Sequence, residues 1–265
     1  MTDNHSFHGN VRPKKQLGQH FLTDLNIARK IAGALMANVE EKVIEIGPGT
    51  GVLTRILIEK YPLLEVVEVD PEAVNFLRTE FEDKGIQIHP QSFLKWEVES
   101  HLQGPAWFIG NLPYNISSPI FFQLLENLSM VKGGVFMVQK EVAQRISSAH
   151  GSKEYGILSV LMQTWFDVKY EFSVSENVFY PKPKVKSGVF SISVKKELPE
   201  IEFKVLKEVV KAAFNQRRKT LRNALSGLSF REDEKLTRWM GMRAEQLSVL
   251  EFTDLAKLYA GRKED

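Results

Sequence analysis

The stretch VIEIGPGTGVLT, residues 43–54, constrains the chain more than any other. A run of buried-type apolar residues passes directly into Gly47, Gly49 and Gly51 and then into an amphipathic segment, the pattern of a strand turning sharply into a helix. The alternation continues through LEVVEVD at 64–70, a helix from Pro71 to Phe81, IQIH at 86–89, WFIGN at 107–111, a helix across Ile120 to Leu128, GGVFMVQ at 133–139 and a helix from Glu141. Apolar strands separated by helices predict an α/β fold, a mostly parallel sheet covered on both faces. From Phe172 to Val194 the pattern becomes strand-like and antiparallel in flavour, ending on the alternating SGVFSISV. After Pro199 it changes to helices: Phe203 to Phe214 with a basic continuation to about Leu225, then Glu232 to Met240 and Thr253 to Tyr259. A boundary near Leu198 is expected, with residues 1–198 as the α/β domain and 199–265 as a small all-helical domain.

The 265 residues, 43% of them hydrophobic, suffice for a sizeable core and exclude a disordered or fibrous chain. Without a single cysteine there are no disulfides and no thiolate metal sites; no metal is expected, and a reducing cytoplasmic compartment fits. The start, MTDNHSFHGNVRPKKQLG, lacks the apolar core of a secretory signal, and no run approaches the ~18 apolar residues of a membrane span. A soluble intracellular protein with no membrane partner is the expectation. The net charge of +2 hides a division: residues 1–180 carry 16 Lys and Arg against 21 Asp and Glu, whereas 181–265 carry 19 against 12. A basic C-terminal third suits a polyanionic partner, although an ordinary solvated charged face accounts for charge alone equally well.

The glycine turn is neither of the common phosphate cradles. Its third glycine comes one residue too early for GxGxxG, and no GK[ST] follows. Glu68 closes the next strand about 20 residues on, where a carboxylate can accept both hydroxyls of a ribose. A nucleoside-bearing cofactor without phosphates meets these conditions, and S-adenosylmethionine is such a molecule.

A second stretch, AWFIGNLPYNISSP at 106–119, ends a greasy strand on an amide, a proline and a ring. In an open parallel sheet, ligands sit beyond the carboxyl ends of the strands. There Asn111 can accept a hydrogen bond from an exocyclic amine, the turn fixed by Pro113 can aim the Leu112 carbonyl at the same amine, and Tyr114 can stack on the base that carries it. A packed tyrosine after a proline turn explains the four residues NLPY about equally well.

Six blocks together carry a resemblance: QLGQHFL (16–22), EIGPGTG (45–51), VEVD (67–70), GNLPYNISSP (110–119), FYPKPKVKSGV (179–189) and FNQRRKTLRN (214–223). In this order they resemble the KsgA family of small-subunit ribosomal RNA adenine dimethyltransferases. The resemblance implies a Rossmann-like S-adenosylmethionine-dependent methyltransferase domain followed by a helical RNA-binding domain. It also implies dimethylation of two adjacent adenines in a hairpin near the 3′ end of 16S rRNA, within the small ribosomal subunit. By similarity, Gln19, His20 and Leu22 lie over the cofactor, Gly47 beside its methionine moiety and Glu68 on its ribose, and Asn111 borders both cofactor and target amine. Phe179 matches the family position whose ring stacks the flipped adenine opposite Tyr114, and Pro181 and Pro183 suggest a stiff, exposed loop there. Lys182, Lys184 and Lys186 would line the RNA approach. Lys207, Lys211, Arg218 and Arg222, with Arg217 and Lys219 adjacent, recur at roughly helical spacing and suit a phosphate-tracking face. Arg12, Lys14 and Lys15 belong either to that surface or to a solvated tail.

Two departures stand out. His20 falls where asparagine is common in the family, and Ser92 of HPQSFLKW falls where an aspartate usually contacts the cofactor's adenine amine. A serine hydroxyl can accept that bond without charge and with shorter reach, so weaker cofactor binding is expected. Rival readings are a large-subunit rRNA adenine methyltransferase of the macrolide-resistance type, a non-catalytic RNA-binding assembly factor on the same fold, and a DNA adenine methyltransferase. A monomer is the expected state, given so large a partner.

Overall fold

The structure is a computed structural model and describes residues 11–262; most of the stretch read for a signal segment, residues 1–10, lies outside these. In chain order the elements are β1 (Phe21–Leu22), α1 (Leu25–Gly33), β2 (Val43–Ile46), α2 (Thr54–Lys60), β3 (Leu64–Val67), α3 (Pro71–Glu80), β4 (Gln87–His89), α4 (Val98–His101), β5 (Ala106–Asn111), α5 (Ser117–Glu126), β6 (Val131–Gln139) and α6 (Lys140–Ser147). They continue with α7 (Ile157–Trp165), β7 (Phe166–Val174), β8 (Phe179–Tyr180), β9 (Ser187–Val194), α8 (Phe203–Asn215), α9 (Leu221–Ala224), β10 (Leu228–Phe230), α10 (Glu234–Met240), α11 (Val249–Lys257) and β11 (Tyr259–Arg262).

The chain forms two compact units. The first runs through Ala143 and takes up Lys169–Ser193. It holds a seven-stranded sheet of order β4-β3-β2-β5-β6-β9-β7, in which β4 to β6 are parallel and β9 pairs antiparallel with β6. β2 is buried along its length and β5 along all but its last residue, as strands between two helical layers must be. Gly110 is required by this close packing: a Cβ there would stand 2.5 Å from the Ile46 carbonyl oxygen of β2. A separate two-stranded pair joins β1 to β8, Phe21 opposite Tyr180 and Leu22 opposite Phe179.

The second unit contains Gln144–Val168 together with the chain from Val194 on. The single boundary expected near Leu198 therefore gives way to three crossings, because α7 packs on α8 and α11. The unit is not wholly helical, since β10 and β11 form an antiparallel pair. Nor is the basic segment one continuous helix: α8 stops at Asn215, Gln216 leaves the helical region, and Thr220 adopts an extended conformation before the short α9. Lys207 and Lys211 thus lie on α8, Arg217, Arg218 and Lys219 in the turn, and Arg222 on α9.

Candidate active site

Beyond the carboxyl ends of β2, β3 and β5 lies a cavity of about 230 Å³. Its floor is the glycine turn. Gly47, Gly49 and Gly51 have φ of 66°, 55° and 71°, a left-handed backbone that side chains resist. The turn is held from β3: the Glu68 carboxylate accepts the Gly49 N–H at 3.0 Å and the Asp70 N–H at 2.8 Å. Glu68 is buried, and burial pushes its carboxyl up against the pull of the Asp70, Gly49 and Val69 amides.

One wall is the end of β5. Asn111, Leu112, Pro113 and Tyr114 all line the cavity. The Leu112 N–H donates to the Met137 carbonyl of β6, which fixes the peptide at the turn. The Tyr114 hydroxyl lies 2.7 Å from the Ser187 hydroxyl at the start of β9, and burial pushes the phenol up. The Asn111 Nδ2 donates to the His20 carbonyl at 2.9 Å. A carbonyl can only accept, so the amide is turned with its NH₂ toward His20 and its Oδ1 away.

The roof is a strap, residues 16–22, every one of which lines the cavity. The His20 ring stacks on Tyr114 with centroids 5.4 Å apart, and its Nδ1 donates to the Pro181 carbonyl at 2.7 Å. Gln19 faces the cavity, but its amide is engaged in the strap: Nε2 donates to Asp70 Oδ2 at 2.9 Å, and Oε1 accepts the Lys14 N–H at 2.7 Å. Ser92 also lines the cavity, at the entry to a single helical turn that its hydroxyl does not cap.

Ten of the residues singled out by sequence thus meet here: Gln19, His20, Leu22, Gly47, Glu68, Ser92, Asn111, Leu112, Pro113 and Tyr114. Phe179 does not. It is buried in the core cluster that also contains its partner across the strands, Leu22, and does not line the cavity; alternation along β8 turns Tyr180 outward instead. The ring expected to stack on the adenine from the head of a stiff, exposed loop is therefore a buried one, while Tyr180, Pro181 and Lys182 that follow it are exposed. Lys182 donates to Asn177 Oδ1 at 2.6 Å, and Lys184 is exposed. Arg217, read as a phosphate contact, is exposed and donates through one guanidinium nitrogen to the carbonyls of Lys153 and Tyr155. Lys14, read as part of an RNA surface or a tail, is paired with Asp70.

Sequence reasoning missed Asp70 and Glu45. Asp70 caps α3 by accepting the Glu72 N–H, and aspartate before a proline at the first helical position is a recognisable start signal. Glu45 is the acid inside the apolar strand VIEI. It lines the cavity, accepts the Thr54 hydroxyl at 2.7 Å, and is pushed up to about 8, first by burial and further by Glu68.

The family model described as "Ribosomal RNA adenine dimethylase" matches residues 10–261. The chain belongs to this family. It is 48% identical over 250 residues to Ribosomal RNA small subunit methyltransferase A of Bacteroides thetaiotaomicron, covering 92% of this chain and 93% of that one. It is 47% identical over 256 residues to the protein of that name from Porphyromonas gingivalis, covering 94% and 98%. Among solved structures, a dimethyladenosine transferase from Plasmodium falciparum superposes with a TM-score of 0.78 at 21% identity, over 91% of this chain and 99% of that one. The 23S rRNA methyltransferase ErmE gives 0.68 at 24%, over 89% and 99%. At these identities the two structures establish the shared Rossmann-like fold of the adenine dimethylase family and no more.

Proposed function

We propose that this chain dimethylates the exocyclic amines of two adjacent adenines near the 3′ end of small-subunit rRNA, using S-adenosylmethionine, and so acts in small-subunit biogenesis. The observation that carries this reading is the setting of Asn111. Its amide is oriented from outside, at the carboxyl end of the central strand, in the same cavity as the glycine turn and Glu68.

The lining suits the cofactor. A Cβ at Gly47 would meet no atom within 4 Å, so the inner side of the turn is open to a ligand. Glu68 would bind the ribose hydroxyls, Ser92 the adenine amine, and Leu22 and His20 would cover the site. When bound, S-adenosylmethionine supplies a methyl group already activated on a sulfonium. The chain then has to position and orient, which accounts for a large share of such rates. Asn111 Oδ1 and the Leu112 carbonyl accept the two hydrogens of the target amine and turn its lone pair toward the methyl group. Tyr114 stacks the base on the face opposite His20. Phe179 braces this arrangement through Leu22.

The partner in this reading is the small ribosomal subunit, met by a monomer in the cytoplasm. Lys182 and Lys184 serve the RNA approach, and Lys207, Lys211, Arg218, Lys219 and Arg222 position phosphates. The small-subunit name of the closely similar relatives favours this branch over the large-subunit one. The test is transfer of labelled methyl to small subunits from a strain lacking the enzyme. Wild type should label them and Asn111→Ala should not; equal incorporation by the variant refutes the assignment of Asn111.

A further inference from the structure

The strap that orients Asn111 is held on its C-terminal side by the pairing of β1 with β8 and by the bond from His20 to the Pro181 carbonyl, and on its N-terminal side by the Asp70 side chain, which is fully buried and does not line the cavity. Asp70 Oδ1 accepts the Glu72 N–H at 3.0 Å and the Lys14 ammonium at 2.5 Å, and Oδ2 accepts Gln19 Nε2 at 2.9 Å. The Lys14 N–H closes the ring on Gln19 Oε1, and its ammonium also reaches Glu72 Oε1 at 3.1 Å. Between these anchors, Lys15–Leu17 make one tight turn ending on Gly18 at φ 62°. The next residue after Gln19 is His20, whose carbonyl holds Asn111.

Capping α3 needs only one carboxylate oxygen, and a buried carboxylate is costly unless all its acceptor sites are met. Here the second oxygen and the charge are given to the strap. We infer that Asp70 is a positioning residue for methyl transfer: by clamping Lys14 and Gln19 it fixes the His20 carbonyl, and through it the amide of Asn111. This rests on the reading of Asn111 as the acceptor for the target amine. Burial alone would raise the Asp70 carboxyl, but Lys14, Gln19 and the Glu72 amide together hold it below its ordinary value, so it stays anionic at neutral pH.

Three variants separate this role from the helix cap. Asp70→Asn keeps an oxygen for the Glu72 N–H but turns an NH₂ against Gln19 Nε2 and leaves Lys14 without its counter-charge. Lys14→Met leaves the cap untouched, and Lys14→Arg restores the charge. On the full chain, kcat and KM for S-adenosylmethionine are measured with small subunits from a strain lacking the enzyme, alongside hydrogen exchange of residues 14–22 and the Tm. Asp70→Asn and Lys14→Met should each lower kcat/KM about tenfold, equivalent to about 1.4 kcal/mol. Exchange should quicken in the strap alone, the Tm of Lys14→Met should hold, and Lys14→Arg should stay near wild type. Faster strap exchange with wild-type kinetics overturns the inference, as does a lowered Tm with exchange raised throughout. If Asp70→Asn does not fold, Lys14→Met decides. Asn111→Ala, run in parallel, keeps the two readings apart: full activity there overturns the role of Asn111 whatever the strap variants do.

Discussion

Asn111 and His20 lie 91 positions apart in the chain and are joined by one hydrogen bond of 2.9 Å from side-chain amide to backbone carbonyl. The bond makes the strand-end amide a directed acceptor. Asn111→Asp replaces the donating NH₂ with an oxygen that faces the His20 carbonyl and cannot bond to it. Methyl transfer should fall about 10²- to 10³-fold, the usual cost of losing an oriented polar group at a reacting centre. Single-turnover assays with saturating cofactor would show it, and a loss below about threefold would contradict the role.

The glycine turn offers a contrast between neighbours. A Cβ at Gly49 would stand 2.9 Å from the Phe21 ring, whereas one at Gly47 meets nothing within 4 Å. Both have positive φ, so alanine at either costs about 1 kcal/mol of backbone strain. Gly49→Ala should lose more stability than Gly47→Ala because it also displaces Phe21 in the strap. Gly47→Ala should instead lose cofactor affinity disproportionately. Denaturant titration and calorimetry on the two variants check the ordering.

Glu45 predicts a pH dependence of stability. Its carboxyl is raised from 4.5 to about 8 in the folded chain. Between these values the native state holds a proton that the unfolded chain has released. Its contribution is full below about 4.5 and is lost as pH rises through about 8. Glu45→Gln keeps an acceptor for the Thr54 hydroxyl and has no proton to lose. It should flatten the decline between these limits and gain stability over wild type at pH 8, read from urea midpoints across pH. A parallel pair of profiles would contradict the assignment.

Ser92 bears on affinity. It lines the cavity with a hydroxyl that caps nothing. Ser92→Asp should bind S-adenosylmethionine several-fold more tightly, since a charged acceptor makes the stronger hydrogen bond. Calorimetry showing no gain would remove Ser92 from the cofactor contacts.

Much of the sheet was legible because strands such as VIEI and AWFIG announce burial by composition, and the glycines between strand and helix mark the turn. The cavity was legible because the loops after β2, β3 and β5 must meet at the carboxyl edge of a parallel sheet. What stayed hidden depends on pairings distant in the chain. Nothing local tells that Lys14 and Gln19 share Asp70, that Arg217 reaches the carbonyls of Lys153 and Tyr155, or that Phe179 turns inward beside Leu22. The continuous basic helix failed for a similar reason: favourable residues run from 203 to 225, yet the backbone leaves the helix at Gln216.

The central claim is tested most directly by primer extension along both ribosomal RNAs, from cells with and without the gene. Gene-dependent stops at two adjacent adenines near the 3′ end of the small-subunit RNA, and none on the large-subunit RNA, are the predicted result. Unchanged small-subunit stops, or gene-dependent stops on the large-subunit RNA, would contradict it.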